Sequence, residues 1–96
     1  MIRHIVPFRL KHAAGSPEEA DFLAANAGLA GIPGVLEFEL RRQISPKNGF
    51  TFVVSMAFAD NAAYQAYNIH PSHTDFVQNR WLPEVADFLE IDTVTL

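Results

Sequence analysis

Along Ile2–Lys11 apolar and polar positions alternate. Ile2, His4, Val6, Phe8 and Leu10 fall on one face, and Arg3, Ile5, Pro7, Arg9 and Lys11 on the other. A period of two marks a strand. Pro7 has no N–H for a ladder, so this strand is expected at a sheet edge or to be irregular at that point. His4 stands on the apolar face, where it is either a core histidine held by one hydrogen bond or a pocket group.

The period lengthens after Ser16. Ser16 can cap a helix, Pro17 suits its first position and Glu19 completes a capping box. Phe22, Leu23, Asn26, Ala27, Leu29 and Ala30 then give a helical stripe, which Gly31–Gly34 ends. Alternation returns from Val35 to Gln43, with Leu36, Phe38 and Leu40 opposite Glu37, Glu39 and Arg41. Ser45–Gly49 reads as a turn, because Asn48–Gly49 favours positive φ. A strand over Phe50–Phe58 follows, large on one face (Phe52, Val54, Met56, Phe58) and small on the other (Thr51, Val53, Ser55, Ala57).

Asp60 can cap a helix through Ala62, Ala63, Tyr64, Ala66 and Tyr67. The residue before a proline is pushed out of the helical region, so this helix should break at His70–Pro71 and a new one start at Pro71. Phe76, Val77, Trp81, Leu82, Val85 and Ala86 form its stripe, interrupted by Pro83. Phe88–Leu96, rich in β-branched residues, reads as a last strand. The order is βαββαβ with a paired second helix, which predicts an α+β, ferredoxin-like sandwich. If the large residues lie under helices, the small sheet face stays open. Covering it with a second copy makes a two-fold interface, so a homodimer through Ile5, Val35, Val53 and Ala57 is expected.

Composition narrows the possibilities. The 96 residues make one domain, 1–96, and a 49% hydrophobic share is that of a globular chain. A net charge of −4 and a pI near 5.4 lack the basic footprint of a nucleic-acid binder, so no nucleic-acid partner is expected. No apolar run approaches the roughly 20 residues that span a bilayer. The first residues lack the apolar core of a signal peptide, so no membrane association is expected. Without cysteine there is no disulfide, thiolate zinc site or thiol nucleophile, and a cytoplasmic location is the default.

Candidate chemistry gathers at Tyr67, His70 and His73, three residues apart around Pro71. No Gly-rich phosphate loop and no G-x-S-x-G is present, and no haem or flavin motif appears, so no cofactor is expected. His70, His73 and Asp75, with His4, make too short a set to define a metal shell, and no metal is expected. Tyr67 with His73 is a better pair. A neutral imidazole takes a proton while a phenol donates to a developing oxyanion. A helix N-terminus at His73 disfavours the imidazolium, which suits a base. Proton abstraction beside a carbonyl is the reaction class that such a pair serves. Val6, Phe8, Val54 and Phe76 are expected to wall the cavity, with His4 and His70 as further contacts.

Met1–Lys11, Ile32–Val35, Phe58–Asp60 and Ala66–His73 together resemble the stress-responsive A/B barrel (Dabb) family, nearly along the whole chain. The resemblance implies two ferredoxin-like sheets closing into one dimeric α+β barrel, helices outside. Plant polyketide cyclases of that family close linear polyketides by an aldol step using a Tyr and a His, which look like Tyr67 and His73. Their pocket histidine looks like His4. Ala25 stands where those cyclases look to have a bulkier pocket aromatic, which implies a differently shaped pocket. Two functions follow as expectations: an enzyme or pocket protein for a small carbonyl or polyketide-like compound, and a non-catalytic stress-response or ligand-binding dimer with a structural Tyr/His corner. A metal-dependent oxygenase of the same superfamily needs ligands that the sequence does not place.

Overall fold

β1 (Ile2–Leu10) runs through the middle of the sheet, not along its edge. In the computed structural model, which describes residues 1–96, it pairs with β3 (Phe52–Phe58) on one side. On the other it pairs with β4 (Val85–Phe88) and β5 (Ile91–Thr93), and β2 (Leu36–Arg42) flanks β3. The spatial order β2-β3-β1-β4 and the antiparallel pairings make a ferredoxin-like α+β fold, as expected.

Pro7 explains the split of the last strand. The Leu89 N–H donates to the Pro7 carbonyl at 3.0 Å. A regular antiparallel ladder would return a bond from residue 7, but proline has no N–H to give. The edge strand is interrupted there, at Leu89–Glu90. The irregularity anticipated for β1 thus falls on its neighbour. The last strand also begins at Val85, three residues earlier than the β-branched run suggested.

β2 departs from simple alternation. Its register slips between Leu36 and Glu39, and Glu37 takes the left-handed φ of 50°, uncommon for a residue with a Cβ. The bulge turns Leu36 out, 41% exposed and paired with Ala57, while Val35, Phe38 and Leu40 pack on the core. The open face therefore carries Leu36 in place of Val35. Ala57 is fully buried within one chain and offers no area to a partner.

Helices cover the other face. α1 (Pro17–Ala27) starts as predicted: Ser16 Oγ accepts from the Glu19 N–H at 3.1 Å. The Glu19 carboxylate returns to the Gly15 N–H at 3.1 Å, one residue before the cap. A 3₁₀ turn, Gly28–Gly31, follows. α2 (Asn61–Ile69) is capped by Asp60, which accepts from the Ala63 N–H at 2.9 Å. His70 leaves the helix at ψ 134°, and α3 (Pro71–Phe76) begins at the next residue.

Pro83 lacks the N–H that the Asn79 carbonyl would accept. Ahead of it the bonding widens to a π turn, Val77–Trp81, with the Leu82 N–H on the Val77 carbonyl. Arg80 ties this segment to α1, donating to Glu84 at 2.6 Å and to Asp21 at 2.7 Å. Its guanidinium holds the Glu84 carboxyl below the usual range.

Candidate functional site

His4, Val6, Phe8 and Leu10 of β1 and Phe52, Val54, Met56 and Phe58 of β3 are buried beneath the helices. At one end Phe8 packs on Phe22, Phe52 and Trp81, with ring centroids 5.0–5.9 Å apart. At the other a cavity of about 220 Å³ lies between sheet and helices. Of the expected site residues, His4, Val6, Val54, Tyr67, His73 and Phe76 line it. Phe8 and His70 do not. Phe8 is enclosed in the aromatic cluster, and the His70 ring is turned to its own helix, where Nδ1 accepts from the Ser72 N–H at 3.1 Å.

The proline break sets the central pair. Tyr67 ends α2 and His73 opens α3, and their ring centroids are 4.3 Å apart. His73 Nδ1 lies 3.0 Å from the Asn68 carbonyl oxygen. A carbonyl only accepts, so Nδ1 carries the proton and Nε2 keeps its lone pair. Burial lowers the His73 pKa, although the Asn68 bond opposes the shift. The direction agrees with expectation, but its leading cause is burial and not the dipole of a short helix. Burial, assisted by Glu90, raises the Tyr67 pKa far above that of a free phenol. At neutral pH the site thus holds a neutral imidazole and a protonated phenol.

His4 has partners that the sequence did not suggest. Its Nδ1 lies 2.6 Å from Asp92 Oδ1, on β5. The Tyr64 hydroxyl donates to Asp92 Oδ2 at 2.9 Å and lies 2.9 Å from His4 Nδ1. A carboxylate can only accept, so His4 too bears a proton on Nδ1. Burial and the Asp92 bond keep the Tyr64 phenol protonated. Asp92 sits in a strand that reads as an ordinary edge, and only its register opposite His4 brings it in.

Further lining residues escaped sequence reasoning, among them Asn26 of α1, Trp81 of the π turn, and Glu90 at the break in the edge strand. Asn26, not Ala25, is the residue of α1 that meets the cavity. Asn26 lay on the predicted apolar stripe, and a polar residue there was the available signal. No three His, Asp or Glu side chains converge as a metal-holding group. No helix is long and apolar enough to cross a membrane.

The sequence model of the stress responsive A/B barrel domain matches residues 2–95. A Dabb family protein with a ferredoxin-like fold from Mesorhizobium loti is 57% identical, with a TM-score of 0.96 over 99% of this chain and 96% of that one. The hydroxynitrile lyase of Passiflora edulis superposes with a TM-score of 0.85 at 20% identity, covering 99% and 93%. A dimeric ferredoxin-like protein of unknown function from Thermobifida fusca gives 0.80 at 22%, covering 98% and 90%. At those two identities the likeness is one of fold. No curated protein matches the chain.

Proposed function

The chain belongs to the stress-responsive A/B barrel family, and on that footing we propose that it binds a small carbonyl compound in the cavity and moves a proton beside the carbonyl. The observation that carries this is the geometry of the pair: the Tyr67 and His73 rings lie 4.3 Å apart on the cavity wall, with His73 Nδ1 held on the Asn68 carbonyl, while burial lowers the His73 pKa and raises that of Tyr67. An apolar pocket with a few convergent polar groups is the usual form of a small-molecule site. At about 220 Å³ it is smaller than the ~300–1,000 Å³ of pockets for drug-sized ligands, which favours a compact substrate.

In this reading His73 Nε2 takes the proton from the carbon next to the carbonyl. The C–H electron pair forms the enolate, and the Tyr67 hydroxyl donates to its oxygen as charge develops there. Where the substrate has a second carbonyl, the enolate carbon attacks it. A C–C bond forms, and the His73 imidazolium returns its proton to the new alkoxide, as in polyketide-cyclase-like aldol closure. His4, held by Asp92 and Tyr64, adds a further polar side chain to the pocket wall.

The functional unit in this reading is a homodimer. Partly buried Ile5 and Val53, with exposed Leu36 and Ile91, sit on the sheet face away from the helices. An apolar face of this kind is usually covered, and structural neighbours from Thermobifida fusca and Jannaschia are described as dimeric. Light scattering should give twice the chain mass at micromolar concentration, and a monomer mass contradicts the dimer.

The chemistry is tested by deuterium uptake from D2O into acetone, butanone and acetylacetone, followed by proton NMR. The wild type should accelerate exchange over buffer, and His73→Gln should abolish the acceleration. Buffer-level exchange of all three ketones would leave the non-catalytic ligand-binding dimer as the surviving reading.

A further inference from the structure

Asn26 is the most anomalous residue in the molecule. It is fully buried on α1 between Phe22 and Leu29 of the same stripe, and it lines the cavity. Neither its Oδ1 nor its Nδ2 has a hydrogen-bond partner in the chain. Buried polar groups in native proteins are nearly always paired, so an orphaned carboxamide calls for a cause. Packing supplies none, because an apolar side chain of similar size would fill the same place without the desolvation loss.

The carboxamide presents two donor hydrogens and one acceptor oxygen at a single spot. Its complement is a group with a donor and an acceptor on neighbouring atoms. Charge narrows the choice further. The cavity lining contains no Lys or Arg and does contain Glu90, so an anionic ligand finds no counter-charge. A neutral hydroxylated carbonyl compound meets both conditions, and the cavity has room for a small one.

We propose that Asn26 determines specificity in this cavity, selecting neutral α-hydroxy carbonyl compounds through paired hydrogen bonds from Nδ2 and to Oδ1. This rests on the carbonyl-pocket reading above and adds the substrate class to it. A site built to hydrogen-bond a hydroxyl rejects the analogue that lacks it, because its own polar groups are then left unpaired. The aldol or enolisation step itself belongs to Tyr67 and His73. Asn26 orients the substrate.

Hydroxyacetone and butanone test this directly, since they differ by a hydroxyl in place of a methyl group. Binding to the wild type is measured by NMR titration, and deuterium exchange is followed in the same samples. The wild type should bind hydroxyacetone at least about tenfold more tightly than butanone. Asn26→Leu should erase or reverse that preference and raise the melting temperature of the ligand-free protein, since an unpaired buried amide has been removed. Asn26→Ala serves as a second variant should leucine not fit, with the same loss of preference expected.

Equal binding of the two ketones by the wild type, or binding of neither, overturns the proposal. So does a preference that survives in both variants. A fall in the melting temperature of Asn26→Leu with its hydroxyacetone preference retained would show the amide satisfied by a resident water, and would also overturn it. Exchange of both ketones without discrimination defeats the assignment to Asn26 and leaves the proton-transfer reading standing. Discriminating binding without any exchange does the reverse.

Discussion

One strand supplies both ends of the core, and the two ends are built differently. Phe8 meets Phe22, Phe52 and Trp81 ring against ring, and the Trp81 indole N–H is the one polar group among the four side chains. Two turns of the pleat away, His4 points to the same side and meets Tyr64 and Asp92, beside a cavity edged by Tyr67 and His73. The aromatic end fills space, whereas the other leaves space and places oriented polar groups around it. Packing a protein interior to its normal density needs no cavity and no buried phenol. The two ends therefore differ in kind: one is packed ring against ring, and the other is a cavity lined by polar and apolar side chains.

The largest expected effect lies at the filled end. Phe8→Ala should lower the unfolding free energy by about 3–5 kcal/mol, because the removed ring leaves a void among rigid neighbours. Denaturant titration measures it. A loss below about 1 kcal/mol would mean that the cluster collapses freely, which erases the contrast.

Next comes His73→Gln at the open end. It should reduce any ketone exchange by roughly 10²–10⁴-fold, the usual contribution of a positioned acid or base. Its stability should change far less than that of Phe8→Ala. Tyr67→Phe sharpens the contrast further. The Tyr67 ring still packs on Phe58, 5.1 Å away, so stability should move within about half a kcal/mol while exchange falls. Two early-melting variants with no ligand to lose would make this corner a structural feature.

The pH dependence is a smaller effect with a defined sign. The folded His73 pKa lies below its ordinary value of 6.5, so in the window beneath 6.5 the unfolded chain binds the proton more readily. Stability from this group is fully present above pH 6.5 and is lost as pH falls toward the lowered folded value. Glu84, held below 4.5 by Arg80, adds a second loss as pH falls below 4.5. A melting temperature that rises between pH 6.5 and 5.5 would contradict the His73 assignment. Smallest of all, Arg41→Ala should change stability by no more than about half a kcal/mol, since its pair with Glu39 lies in solvent.

The legible parts of this molecule are those set by local sequence. Alternation in β1 and β3, the caps at Ser16 and Asp60, and the break at Pro71 each rest on a few adjacent residues, and each stands as expected. The Tyr67–His73 approach was legible for the same reason, since the two residues lie six apart across the break at Pro71. What escaped depends on partners distant in sequence. The bulge at Glu37 swaps Val35 and Leu36 between faces, which changes the residues expected at the interface. Asp92 reaches His4 across 88 positions through strand register. Phe8 and His70 were expected at the cavity. Neighbouring aromatics enclose the first, and the second caps its own helix.

The central claim is that the open end is a site, with His73 as a neutral base facing its ligand. Nitrogen-15 NMR of the His73 ring during titration with acetylacetone tests it most directly. Before addition at neutral pH, Nδ1 should be protonated and Nε2 should show the shift of a bare imidazole nitrogen. With ligand, the Nε2 resonance should move and saturate. A protonated Nε2 in the free protein, or an Nε2 signal that stays fixed throughout the titration, would contradict the account.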